Sequence, residues 1–314
     1  MKNLISVIIC THNPRRDYLD RVLNSLKSQT LSKEEWEFLL IDNASERVLS
    51  KEIDITWHPK ARHIREENLG LTAARIRAFR ESVNEIIVFV DDDNVIEENY
   101  LKNTAEILQL NPYIGAIGGK SIAEFETEPE YWFHELGISL GCRDLGEEIK
   151  VCSWTQKDIE NKKYPDFAPI GAGLVLRKTA FATYFQRIQN NIDGLSLGRT
   201  GKKLTSGEDN DIVMTLLESG WSIGYFPQLK LTHLIPKNRL TKEYLAGIKR
   251  AINRSWVQVL DMHGIRPWKK ISRWTLLPRK LKAFFIYQAW KNEASYILWQ
   301  GACGIFEGQA NLFL

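Results

Sequence analysis

Residues 86–94 read IIVFVDDDN: five apolar residues run straight into three aspartates. An apolar run of this length suits a strand buried on both faces of a parallel sheet. The carboxylates emerge at its C-terminal end, where open α/β sheets bind their ligands. Three carboxylates so close repel one another and raise each other's pKa values unless a cation sits among them. Oxygen donors of this kind suit Mg²⁺ or Mn²⁺ rather than Zn²⁺. The stretch reads either as a metal site that grips a diphosphate or as a polar turn after a strand.

Toward the N-terminus, Leu4–Cys10 is an apolar strand that ends in Thr11-His12-Asn13-Pro14. Asp17–Gln29 carries Leu19, Val22, Leu23 and Leu26 at helical spacing. Glu37–Ile41 reads as a second strand, ending in Asp42-Asn43-Ala44-Ser45, and Arg62–Arg65 as a short third. Asn68-Leu69-Gly70 then leads into a helix over Leu71–Ser82. On the other side of the aspartates come a helix over Asn99–Leu110 and a short strand, Ile114–Gly119. Ala123–Ala168 is aromatic and weakly periodic, an irregular excursion suited to an acceptor wall or simply a peripheral insertion. Pro169–Leu176 returns to the sheet, and a polar loop over 190–206 delivers Gly207-Glu208-Asp209-Asn210-Asp211 to a helix over Ile212–Ser219. Acids at that helix start also favour its dipole, so capping is a second reading. Ser222–Phe226 and Lys230–His233 read as two short strands about Pro227. Strands alternating with helices predict an α/β, doubly wound sheet.

The chain has 314 residues, 44% hydrophobic and 26% charged, the composition of a globular protein with a sizeable core. A net charge of +3 is too small to make nucleic acid a main partner. Cys10, Cys142, Cys152 and Cys303 form no CxxC and have no histidine at zinc-finger spacing, so they read as reduced thiols of a cytoplasmic protein. The opening MKNLISVIICTHN is too short in apolar residues for a signal peptide, and no run reaches membrane-spanning length. Thr241–His263 is the longest helical pattern. Beyond Arg266, lysines and arginines mingle with tryptophan, phenylalanine and tyrosine. Residues 266–314 therefore read either as a peripheral contact with an anionic membrane or as aromatics packed on the main domain with solvated bases. The oligomeric state is not legible.

Five stretches in order, SVIICTHNP, IDNAS, ENLGLTAAR, VDDDN and GEDNDI, resemble the family 2 glycosyltransferases of the GT-A fold over roughly residues 4–240. The resemblance implies a GT-A catalytic domain over 1–240, with a nucleotide-binding half at 1–120 and an acceptor-side half at 121–240. A helical, basic-aromatic extension over 241–314 would follow. It implies an inverting enzyme that moves one sugar from a nucleotide-diphosphate sugar, a UDP-sugar first, to a glycan or lipid-linked acceptor, with Mn²⁺ or Mg²⁺ as cofactor. By similarity, Thr11, Asn13, Asp42, Asn68, Gly70, Arg75, Asp91 and Asp92 would hold the nucleotide. Asp93, with Asp91 and His233, would hold the metal. Asp209, with Glu208 as neighbour or substitute, would take the acceptor's proton. An Asx turn is the plain reading of Asp42, and a structural histidine that of His233.

The chain departs from the family pattern at His12, where an aromatic is common, and at Asp211, a second acid beside the expected base. It lacks the QxxRW-type element of processive synthases, which argues for transfer of one sugar at a time. Two rivals remain. A sugar-nucleotide nucleotidyltransferase would want a glycine-rich phosphate loop after the first strand, and THNPRR has none. An inactive assembly subunit would have no need to gather repelling acids.

Overall fold

The computed structural model describes residues 4–155, 157–158, 162–190 and 207–312. Beyond its first residue, the polar loop expected over 190–206 lies outside them. The first half alternates as the hydrophobic pattern predicts, save for the short strand β5: β1 (Ile5–Thr11), α1 (Arg16–Lys27), β2 (Trp36–Asn43), β3 (Ala61–Glu66), α2 (Leu71–Glu81), β4 (Ile86–Phe89), β5 (Asn94–Ile96) and α3 (Tyr100–Leu110). There follow β6 (Ile114–Phe125), β7 (Lys150–Cys152), β8 (Val175–Arg177), α4 (Lys178–Asn190), α5 (Glu208–Glu218) and β9 (Ser222–Ile235). The chain closes with α6 (Lys242–Met262), α7 (Leu276–Ile286) and α8 (Glu293–Ala310).

The strands form one mixed sheet in the order β3-β2-β1-β4-β8-β6-β9-β5, with β7 on β9. β1 runs parallel to β2 and β4, and β2 parallel to β3. β8 inserts antiparallel between β4 and β6. Side chains alternate across this sheet because successive Cβ atoms point to opposite faces. Ile5, Val7, Ile9, Ile86 and Val88 join α1 and α3 in one core layer. Ile8, Ile87 and Phe89 join α2, α4 and α5 in the other. The IIVFV run is thus buried on both faces, and its carboxylates leave the sheet at the C-terminal ends of the parallel strands.

Six elements differ from the sequence expectation, two of them, β5 and β7, being short strands it did not name. β6 continues past its glycines to Phe125, because Gly119 lies flat against the carbonyls of Phe226 and Leu229 where a side chain has no room. β9 is one strand through Pro227 rather than two. β8 begins only at Val175, so Gly171 and Gly173 lie in the loop before it. α5 begins at Glu208, so the acidic cluster is the first turn of the helix rather than a loop before it.

Two compact units result: 1–124 with 141–195 and 209–234, and 125–140 with 196–208 and 235–314. The first holds the sheet and its two core layers. The second has its own core, in which Trp132, Phe133, Leu136 and Ile138 meet Leu245, Ile248 and Ile297. In it α8 lies tightly on α6, since Gly304 faces the Arg250 carbonyl with no space for a Cβ, and Gly308 would place one 2.6 Å from the Cβ of Val257.

One buried titratable group marks the first unit. His58 stacks on Trp36 with centroids 4.1 Å apart, and its Nδ1 accepts from the Lys60 amide at 3.2 Å. Burial, with Lys33 and Lys60 nearby, pulls its pKa down to about 4. Between that value and the ordinary 6.5, the unfolded chain takes a proton that the folded chain refuses. Stability therefore falls as pH drops through this window. Urea unfolding should show a loss of about 2 kcal/mol from this residue between pH 7 and pH 5. His58→Phe, which keeps the stack, should flatten that slope, and an unchanged slope would show that another group titrates.

Candidate active site

Three groups of residues gather at the C-terminal ends of the parallel strands and the loops beside them. The first is built on β1 and β2. Asn13 takes a left-handed φ of 50°, its amide donates to Ser45 Oγ at 3.0 Å, and its Oδ1 accepts from the Glu46 amide at 2.9 Å. His12 Nδ1 donates to the Asn43 carbonyl at 2.8 Å, which fixes its tautomer. Asp42, 3% exposed, accepts from the amides of Ser45 (3.1 Å) and Leu49 (3.0 Å) and from Arg65 Nη1 (2.8 Å). Burial pushes its pKa up, but these donors outweigh burial and hold it below the usual carboxylate value. Asp42 is therefore seen organising its loop, the plain reading of this residue.

Asn43 carries the connection to the next loop, which the sequence reading missed. Its Nδ2 donates to the Asn68 carbonyl at 2.7 Å, and its Oδ1 accepts from the Gly70 amide at 2.8 Å. Gly70 has φ 145° and ψ 141°, a region that glycine alone enters freely, and its carbonyl starts α2 through the Ala74 amide. The only signal for Asn43 was its place beside Asp42 in IDN.

The second group is the aspartate turn. The Asp91 carbonyl accepts from the Asn94 amide at 3.0 Å, closing the turn between β4 and β5. Thr11 Oγ1 donates to Asp92 Oδ2, so the end of β1 and the turn are joined. β5 pairs with β9 in the register Asn94↔His233, which sets the His233 side chain beside Asp93. His233 Nε2 lies 3.4 Å from Asp93 Oδ1, and both residues are buried, at 6% and 7% exposure. The other ring nitrogen, Nδ1, lies 3.7 Å from Cys142 Sγ. A Cβ on Gly141 would come within 3.1 Å of the ring, so the backbone there packs directly against the imidazole. Burial alone lowers the imidazole pKa, but the hydrogen bond and charge of Asp93, helped by Cys142, raise it to about 10. Asp93 thus favours the protonated imidazole over the neutral one.

The third group surrounds Gly171. Its amide donates to Asp209 Oδ2 at 2.9 Å, and the Asn210 amide donates to Asp209 Oδ1 at 3.0 Å. A Cβ on Gly171 would lie 3.7 Å from both Asp209 Oδ2 and Arg75 Nη2, so the glycine keeps a small space between a carboxylate and a guanidinium. Arg75 is buried, its guanidinium 5.1 Å from the centroid of the Phe89 ring. Asn210 Nδ2 donates to the Tyr164 hydroxyl at 2.9 Å, and burial and the charge of Asp209 raise the pKa of that phenol. Gly173 serves packing instead: at φ +67°, its Cβ would meet Leu231 and the Tyr100 hydroxyl at 2.5 and 2.6 Å.

The neighbouring acids separate by burial. Glu208 is 3% exposed and Asp211 fully buried, with Arg187 Nη2 at 3.5 Å from Asp211 Oδ1. Asp209 is half-buried. Arg143 was also missed. It donates to the carbonyls of Phe167 (3.2 Å) and Ala168 (2.6 Å) and so anchors the segment that leads to Gly171.

A family model described as "Glycosyl transferase family 2" matches residues 6–185, more than half of the chain. The chain belongs to glycosyl transferase family 2. It is 29% identical over 116 residues to the uncharacterized glycosyltransferase alr2836 of Nostoc sp., covering 36% of this chain and 35% of that protein. It is 29% identical over 139 residues to glycosyltransferase GlyA of Streptococcus pneumoniae, covering 43% of this chain and 19% of GlyA. The matched stretches span well under half of either relative. Among solved structures, S. aureus TarS superimposes with a TM-score of 0.53 at 15% identity, over 98% of this chain and 54% of TarS. Its fragment 1–349 gives 0.51 at 16%, over 98% and 89%. These likenesses carry the fold, a mixed α/β sheet flanked by helices with further helices at the C-terminus.

The Asp93–His233 pair can be tested without a substrate. In NMR titrations with chelator present, His233 should titrate near 10. In Asp93→Asn, burial is left as the larger influence, and the value should fall below about 7. An imidazole that still titrates near 10 in that variant would show that Asp93 is not its counter-charge.

Proposed function

We propose that this family member is an inverting glycosyltransferase of the cytoplasm. It would move one sugar from a nucleotide-diphosphate sugar, a UDP-sugar first, to a hydroxyl of a glycan or lipid-linked acceptor in cell-surface polysaccharide synthesis. The observation that carries this reading is Asp209, a half-buried carboxylate fixed by two backbone amides next to a buried guanidinium. Residues 1–240 are assigned the catalysis, the first 120 the nucleotide and the remainder the acceptor, with 241–314 as an extension.

Asp209 takes the proton from the acceptor hydroxyl as that oxygen bonds to the anomeric carbon and the bond to the diphosphate breaks. One displacement with one carboxylate inverts the centre, by the logic of inverting glycosidases. Glu208 is the lesser candidate because it is buried. Asn13, Asn68 and Gly70 are assigned to the nucleoside and Arg75 to a phosphate. Thr11, Asp91 and Asp92 are assigned to the ribose and its surroundings. Asp42 is assigned to the base, where a carboxylate oxygen keeps lone pairs beyond those its loop uses.

Among the described residues, no three His, Cys, Asp or Glu side chains converge as a ready-made ion cage. A magnesium-like ion needs only one or two protein donors when a diphosphate supplies others. The Asp93–His233 spacing of 3.4 Å is close to the roughly 3 Å that separates neighbouring ligands of such an ion. Carboxylate donors suit Mg²⁺ and Mn²⁺ alike. The residues fit, with Asp93 and His233 as ligands and Asp91 beside them. The ion, when bound, neutralises charge on the leaving nucleoside diphosphate.

Calorimetric titration of UDP, GDP and dTDP, with Mn²⁺ and then chelator, should show one nucleotide binding only with metal. Asp93→Ala should abolish that binding. Asp209→Asn should retain it and lower transfer from the matching donor by about 10²–10⁴-fold. No nucleotide binding in either condition, or unchanged transfer in Asp209→Asn, would overturn the assignment.

A further inference from the structure

The second unit carries a surface that the transfer chemistry does not use. Helix α7 buries only Ala283 among its residues. Its inner side is fastened to α8, where Trp299 Nε1 donates to the Lys280 carbonyl at 2.9 Å, Phe284 meets Trp299 edge-on and Lys280 pairs with Glu307 at 2.6 Å. Its outer side is apolar and open. Leu277, Leu281 and Phe285, four residues apart, form one stripe, at 77%, 57% and 60% exposure. Trp274 before the helix is 92% exposed, and Ile286 and Trp290 extend the patch past its end at 66% and 59%.

Charge decides what such a face meets. Residues 263–292 contain eight Lys and Arg and no Asp or Glu. The rest of the chain then holds 34 Lys and Arg against 39 Asp and Glu, so the bases are segregated here rather than spread evenly. At 100° per residue, Lys282 flanks the Leu277–Leu281–Phe285 stripe on one side and Lys280 on the other. A second copy docking symmetrically through this face would set like charges against one another. An anionic bilayer instead accepts the apolar stripe into the headgroup boundary and meets the exposed bases Lys269, Lys270 and Lys282 with phosphates.

We infer that α7 and its flanks, from Lys269 to Lys291, form an interfacial anchor that lays the Trp274–Leu277–Leu281–Phe285 stripe on an anionic lipid surface. Among the described residues, no helix is long and apolar enough to cross a membrane, so the contact lies in the surface plane. Basic side chains beside the stripe keep their charged ends at the headgroups while their stems cover apolar area. Lipid binding by this face requires no nucleotide and no transfer, so it succeeds or fails separately from the proposed function.

The test is flotation of the full chain with phosphatidylcholine vesicles, with and without 30% phosphatidylglycerol. The chain should float with the anionic vesicles and not with the neutral ones, and 0.5 M salt should weaken the binding. Leu281→Asn with Phe285→Ser should abolish flotation, and Lys269→Glu with Lys282→Glu should weaken it by about 10-fold or more. Leu110→Ser, at an equally open leucine on α3, should change nothing. All variants sit on exposed positions, and their thermal melts should match the parent. Equal flotation of parent and stripe variants would overturn the anchor. So would a lipid-free dimer that the stripe variants disperse, since it would mark a face between copies of the chain.

Discussion

A carboxylate buried inside a protein needs hydrogen-bond donors or a cation around it, and Asp93 has the Asn94 side-chain amide at 3.0 Å and His233 at 3.4 Å. Removing one member of such a pair strands the other at a cost of about 3–5 kcal/mol. Much of the local architecture follows from that. β9 must run unbroken to Ile235 so that His233 arrives opposite Asn94. The turn from Asp91 to Asn94 must close so that Asp93 faces it. Gly141 must lack a side chain so that the ring can lie beside it. An imidazolium and a divalent ion would balance the charge of Asp93 alike, so the same two residues suit a structural ion pair or a metal site.

The parallel half of the sheet was legible in the sequence because its signal is local. An apolar run bounded by polar turns states both the strand and its double-sided burial, and IIVFV alternates between two core layers as that reading requires. The second half was less legible because its strands are held by distant partners. The glycines of β6 read as a terminator, whereas Gly119 is what lets β6 pass the carbonyls of β9. Pro227 read as a turn, yet the strand on either side of it is paired with β7 and β5 and stays extended. Asn43 and Arg143 escaped notice for a related reason. Each satisfies backbone groups 23 to 27 residues away, and no spacing rule reports such bonds.

The C-terminal segment shows the same division. Its composition supported both a membrane contact and packing on the protein, and in the structure one helix is packed on two sides while the other is open on one. α8 is committed to α6 through Gly301, Gly304 and Gly308, which let the two backbones approach. α7 is committed on one side only. Composition pools the two helices, whereas packing separates them.

The carboxylates of the site sort by what already holds them, and that sorting bears on which one is open to a further partner. Asp42 faces a guanidinium and two amides, Asp211 a guanidinium in full burial, and Asp93 an imidazolium. Each has a cation close by that already occupies it. Asp209 also has a guanidinium nearby, that of Arg75 across Gly171, but among the described residues no ion pair fixes it. Each of its oxygens receives one backbone N–H, a neutral donor, from two separate segments. Those bonds fix the direction of the carboxylate while leaving lone pairs on both oxygens. Helix geometry sets successive residues 100° apart, so Glu208 and Asp211 turn into the protein while Asp209 stays half-open. An acidic string that reads as repetition in the sequence becomes, on the first turn of a helix, one accessible carboxylate between two buried ones.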